Sequence, residues 1–272
     1  RALFLAMLMT LAPVLTIPGF AAEETDPRLH PDGKGWGFYK APDAGPQLPR
    51  VLLIGDSIVN GYRGEVAARL KGKAIVDSWL TGLCESSPEL HGLLRKALAN
   101  GPYAVVHFNI GLHGWPKGRI PEGQYEPLMR KYVGILLEGA PKSALIWGSS
   151  TPVTVKGKPS QLDPAIDPTI VERNELAAKI MAENKIEVDD LYGLMAGKLN
   201  LAAGDQFHWT PAGKTRQANT VAATILKHLP SAGTSAIEIT SPLDYQVIQR
   251  RTQKEGLVTV SGQCGVPCDR IE

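Results

Sequence analysis

Between Val51 and His228 short β-type runs alternate with segments of helical length, and no other feature of the sequence restricts the fold as strongly. Val51 to Ile54, Ala74 to Trp79, Tyr103 to Phe108, Ala144 to Trp147 and Ile186 to Val188 are brief and mostly apolar, as buried strands are. Ile58 to Leu70, Pro88 to Ala99, Gln124 to Glu138, Pro168 to Asn184 and Pro211 to His228 read as amphipathic helices, the last with proline in its first turn. Such alternation predicts an α/β domain over 50–230, a five-stranded parallel sheet with helices on both faces. Ligands of these sheets sit outside the carboxyl ends of the strands. The loops that matter are therefore Gly55-Asp56-Ser57, Leu80-Thr81-Gly82, Asn109-Ile110-Gly111-Leu112-His113 and Gly148-Ser149-Ser150-Thr151-Pro152.

The ends of the chain read differently. Ala2 to Ile17 is an apolar stretch after Arg1, and Gly19 and Ala21 are small enough for a cut after Ala21, so 1–21 is expected to be a signal peptide of a secreted or periplasmic protein. The run is short for a membrane span of roughly 20 residues, and no stable membrane insertion is expected once it is removed. Arg1 in place of Met makes a fragment of a longer reading frame the expectation. Residues 22–49 are rich in Pro, Gly and Asp without a hydrophobic period and are expected to form an irregular arm. Residues 231–272 are expected to be a linker and the start of a truncated β-rich domain, because Ala236 to Thr240, Tyr245 to Arg250 and Leu257 to Ser261 alternate with period two.

Composition narrows the function. Twenty-nine Lys and Arg against 27 Asp and Glu give a net charge of +2, which offers nothing to a nucleic acid or an anionic surface. Cys264 and Cys268 are close enough to close a small loop, with Cys84 left over, and two cysteines without a histidine cluster fall short of a zinc site. No metal or cofactor is called for.

A serine at the tip of the first strand, where a helix begins, gains from the helix dipole but needs a base and a group to orient it. Asp205-Gln206-Phe207-His208 offers both, with Asp205 to hold one ring nitrogen of His208 and the other nitrogen facing Ser57. An attacked ester also needs donors for the oxygen that turns negative. The Ser57 N–H, the Gly82 N–H and the Asn109 side-chain amide are placed to supply them. His113 and Trp209 are candidates for substrate contact, with a packed histidine and an apolar helix anchor as the plainer alternatives. Ser149 and Ser150 have no acid–base pair and are expected to satisfy turn amides, and His107 is expected to be a core histidine.

Four blocks in order, Gly55-Asp56-Ser57-Ile58, Gly82, Asn109 and Asp205 to His208, resemble those of the SGNH hydrolases, also called GDSL-like lipases and esterases. The resemblance implies a flavodoxin-like three-layer α/β/α sandwich, Ser57 as nucleophile, Ser57, Gly82 and Asn109 as the oxyanion hole, and Asp205 and His208 completing a triad. Where the family's third block usually reads Gly-x-Asn, this chain has Asn109-Ile110-Gly111-Leu112-His113, similar to a bacterial carbohydrate-esterase-type branch. The implied activity is hydrolysis of acyl esters, O-acetyl first, of a carbohydrate or small molecule. Two other readings stand beside it: an O-acetyltransferase using the same site, for which His208-Trp209-Thr210-Pro211 is a hint, and an inert carbohydrate-binding module. An α/β-hydrolase is disfavoured because Ser57 is followed by Ile58-Val59 and not by x-Gly.

Overall fold

The structure, a computed structural model, describes residues 37–42 and 48–230 and the backbone of 238–241 and 261–263. The signal-peptide expectation, most of the arm and the cysteines at 264 and 268 lie outside the described residues. In chain order the elements are β1 (Gly37–Tyr39), β2 (Arg50–Gly55), α1 (Ser57–Arg69), β3 (Ile75–Leu80), α2 (Leu90–Leu98), β4 (Val105–Phe108) and α3 (Tyr125–Gly139). There follow β5 (Ala144–Gly148), β6 (Thr154–Val155), β7 (Lys158–Leu162), α4 (Asp167–Glu183), β8 (Glu187–Asp189), α5 (Leu191–Ala196) and α6 (Pro211–His228). The short strands β9 (Glu238–Ser241) and β10 (Ser261–Gln263) pair with each other, antiparallel.

All five expected strands are present and parallel, side by side in the order β3-β2-β4-β5-β8. The chain therefore runs from β2 to one side, then returns across it to the other, which makes the carboxyl end of β2 the topological switch point. One expectation needs correcting: the region 22–49 is not irregular throughout. Gly37–Tyr39 forms a sixth strand antiparallel to β3, pairing Gly37 with Leu80 and Tyr39 with Ser78. Three residues are too few to carry a period, and the pairing that makes them a strand is remote in sequence. Arg50 grips Asp77 with both ends of its guanidinium, Nε to Oδ2 at 3.1 Å and Nη2 to Oδ1 at 2.8 Å, while the Ala41 N–H donates to Asp77 Oδ1 at 2.8 Å. That bidentate pair joins β2 to β3, and Ala41, bonded to both of its members, ties the chain just after β1 to it.

The two faces of the sheet bury two apolar layers, and the strand residues divide between them by alternation. Leu52, Ile54, Val106, Phe108 and Trp147 pack under α2, α3 and α4, against Leu94, Met129, Tyr132, Leu136, Ile180 and others. Val51, Leu53, Val105 and Ile146 point to the opposite side, against Tyr62 and Val66 of α1 and Val221, Ala222 and Ile225 of α6. Strands covered on both faces read as continuous apolar runs, and β2 does. Among the described residues no helix is long and apolar enough to cross a membrane.

Candidate active site

The turn from β2 into α1 is unusually tight. A side chain at Gly55 would bring its Cβ to 2.1 Å from Val59 Cγ2, so only glycine lets the helix start this close to the strand. Asp56 caps α1 by accepting the Ile58 N–H at 2.8 Å. Ser57 is thereby fixed as the first helical residue, where its own N–H has no partner within the helix.

The second half of the site is brought by the loop before α6. Asp205 Oδ1 accepts the backbone N–H groups of Phe207 at 3.2 Å and His208 at 2.9 Å, and Oδ2 meets His208 Nδ1 at 2.6 Å. An ionised carboxylate can only accept, so Nδ1 carries the hydrogen, and in the neutral ring Nε2 is an acceptor. Nε2 lies 2.8 Å from Ser57 Oγ, and that contact spans 151 residues of sequence. Burial raises the Asp205 carboxyl, but the N–H and imidazole of His208 and the Phe207 N–H outweigh it and hold the group below the usual aspartate range. Asp205 stays an anion at neutral pH and can accept the His208 Nδ1–H. Between them Gln206 takes φ +94, a left-handed backbone that its neighbours hold in place: its carbonyl accepts the Thr154 N–H at 2.9 Å, and its Nε2 donates to Asp163 Oδ2 at 3.1 Å.

Of the expected donors, Gly82 lies two residues beyond β3, beside the end of β2, where the Thr81 N–H donates to the Gly55 carbonyl at 2.8 Å. Asn109 leaves β4 with its N–H on the Ile54 carbonyl at 2.9 Å, and its Nδ2 donates to the Gly148 carbonyl at 2.6 Å. One amide hydrogen is thus used to orient the side chain, and the other has no acceptor among the described residues.

His113, in the short 3₁₀ turn Leu112–Gly114, belongs to the same neighbourhood. Burial lowers its imidazole, against the opposing pull of Asp56, with Arg119 and His208 adding to the lowering. Burial likewise raises the Asp56 carboxyl, opposed by the Ile58 N–H and then by His113 and His208. Asp56 therefore sits in the field of two imidazoles, a relation that no spacing in the sequence signals.

For Trp209 burial favours the second of its two expected roles. It is only 3% exposed, packs in the layer under α1 and α6, and donates through Nε1 to Thr151 Oγ1 at 3.3 Å. It anchors the start of the last helix, the plainer of its two expected roles. The aromatic pair at this edge is Trp115 with Phe207, their ring centroids 5.9 Å apart and both partly exposed. Ser149 and Ser150 are bound as expected, Ser149 Oγ between Asp190 Oδ1 and the Tyr192 N–H, the Ser150 backbone on the Asn174 amide. His107 is buried against Asp189, Nε2 to Oδ2 3.2 Å, a core contact.

No family model and no curated protein sequence matches the chain. Solved structures do. A lipase/acylhydrolase from Enterococcus faecalis superposes with a TM-score of 0.56 at 16% identity, over 67% of this chain and 98% of the other. A carbohydrate acetylesterase from Sinorhizobium meliloti gives 0.52 at 18% identity, over 66% and 99%. A GDSL-like lipase from Bacteroides thetaiotaomicron gives 0.51 at 19% identity, over 65% and 88%. With its switch point at β2 and its serine loop and histidine loop meeting there, this chain has the fold of the SGNH, or GDSL-like, hydrolases.

Proposed function

We propose that the protein is a serine esterase that removes acyl groups, O-acetyl first, from a carbohydrate or a small ester. The observation that carries this reading is the unbroken line of hydrogen bonds from Asp205 through His208 to Ser57 at the switch point of the sheet. In that geometry Ser57 Oγ attacks the ester carbonyl while His208 Nε2 takes its proton. The carbonyl oxygen becomes an anion facing the Ser57 and Gly82 N–H groups and the free hydrogen of Asn109 Nδ2. Collapse expels the alcohol, which receives the proton from His208, and leaves an acyl group on Ser57. Water, deprotonated by His208, then releases the acid and restores the serine.

An acetyl group on a sugar is favoured over a long acyl chain by the likeness to solved acetylesterases, one of them an acetyl xylan esterase. We also read the chain as exported, on the apolar run at Ala2 to Ile17. An inert binding module has no physical need to hold a serine, a histidine and an aspartate in one hydrogen-bonded line.

Acetate release from a chromogenic acetyl ester and from acetylated xylan, measured beside Ser57→Ala, tests the reading. Turnover by the parent and a loss of several orders of magnitude in the variant are expected, as for other removed nucleophiles. Equal rates in two folded proteins would refute it. Acetyl transfer to an added sugar in preference to water would assign the same site to a transferase.

A further inference from the structure

We infer that Arg119 is a positioning residue for the oxyanion hole, which rests on the esterase reading above and extends it to a loop that the sequence left without a role. Pro116, Lys117, Gly118 and Arg119 form a tight turn closed by the Arg119 N–H on the Pro116 carbonyl at 2.9 Å. Gly118 takes φ +80 at its third position, as a type II turn requires. The turn brings Arg119 against the loop after β3, and the two loops are tied twice. Ser86 Oγ donates to the Arg119 carbonyl at 2.7 Å, and Arg119 Nη2 donates to the Gly82 carbonyl at 3.2 Å.

The consequence for Gly82 follows from the peptides on either side of its N–H. The Thr81 N–H is held by the Gly55 carbonyl, and the Leu83 N–H donates to Thr81 Oγ1 at 3.1 Å. Arg119 fixes the carbonyl of that same following peptide. Of three successive N–H groups, only that of Gly82 is given no protein acceptor among the described residues, and its direction is set from both sides. A donor held in advance does not have to reorganise when charge develops, which is the condition for stabilising an oxyanion. Arg119 touches no reacting atom in this arrangement. It acts through the glycine, and its positive charge, already felt by His113 and Glu85, adds to the field around the forming anion.

The test is steady-state kinetics on a chromogenic acetyl ester for Arg119→Gln, Arg119→Lys and Ser86→Ala, with kcat expressed per active site titrated by the acylation burst, so that misfolded protein does not enter the result. Removal of an oxyanion donor typically lowers kcat by about 10²–10³-fold. Loosening one is expected to lower it by about 10-fold in Arg119→Gln, with KM within about 2-fold, because the ground-state ester makes no use of the anion site. A boronic acid that forms a tetrahedral adduct on Ser57 should lose affinity in parallel with kcat. Arg119→Lys should recover part of the loss and Ser86→Ala should show a smaller one of the same kind. Unchanged kcat, or a rise in KM with kcat preserved, would overturn the inference and in the second case make Arg119 a substrate contact. Failure of the esterase reading itself appears separately, as turnover that survives Ser57→Ala.

Discussion

Single residues at this site are tuned by what surrounds them. Asp205 is kept ionised by the N–H groups it accepts, whereas Glu85, in the loop after β3, is fully buried and neither of its oxygens has a hydrogen-bond partner among the described residues. Burial raises its carboxyl above the ordinary glutamate range, and its own backbone N–H, then Arg173 and Arg119, offset this only in part. The sign of the effect on stability follows from linkage. The folded state holds the proton more tightly than the unfolded chain, so the contribution of Glu85 is fully present below an unfolded value of about 4.3 and is lost as pH rises through the raised folded value. Glu85→Gln keeps the shape and removes the ionisation. Its melting temperature should fall less than that of the parent between about pH 4 and neutrality. Parallel melting curves across that range would mean that the buried carboxyl finds a compensating partner on ionising.

At the scale of elements, the hydrogen-bonded line from Asp205 to Ser57 depends on two helix starts held side by side. Ser57 opens α1, His208 lies just ahead of α6, and the two helices pack under the sheet with Thr215 Oγ1 on Glu65 Oε1 at 2.9 Å and Arg69 Nε on Asn219 Oδ1 at 2.6 Å. Gly55 decides how closely α1 approaches β2. Gly55→Ala inserts a methyl 2.1 Å from Val59 Cγ2, so the helix must shift. Overpacking of this kind destabilises by about 1–3 kcal/mol. The same shift moves Ser57 away from His208 Nε2, and we expect kcat to fall more steeply than stability. Urea denaturation alongside kinetics separates the two effects, and a variant with parental kcat would show that the turn absorbs the methyl elsewhere.

Over the whole molecule, one buried ion pair joins segments that are distant in sequence. Asp77 accepts from Arg50 at the start of β2, from the Ala41 N–H after β1 and from Tyr103 Oη at 3.2 Å ahead of β4, and its side chain is wholly buried. Removal of one partner of such a pair typically costs about 3–5 kcal/mol, since the other charge stays buried without its counter-charge. Asp77→Asn should lower stability by about 3 kcal/mol, somewhat less than a full deletion because the amide oxygen can still accept. Chemical denaturation measures this directly. A loss under about 1 kcal/mol would show that the Arg50 guanidinium reaches solvent in the variant, and β1 is the strand whose amide protection should drop first.

Alternation of strand and helix, the apolar runs from Val51 to Ile54 and from Tyr103 to Phe108, and the order of Gly55-Asp56-Ser57, Asn109 and Asp205 to His208 were legible in the sequence because each rests on local pattern. Period and spacing are properties of neighbouring residues. The sequence therefore determined the five parallel strands and the three residues, Ser57, Asp205 and His208, that meet at one edge of them. What it left undecided depended on partners far along the chain. Gly37–Tyr39 is a strand only because β3 offers it an edge, and Trp209 is a core residue only because Thr151 and the layer under α6 enclose it. Asp56 feels the charge of both His113 and His208, and Arg119 donates to the Gly82 carbonyl, through loop placements that no periodicity encodes. Tertiary structure alone decided these, since burial and hydrogen bonding at a site are set by whatever packs against it and not by the residues beside it in the chain.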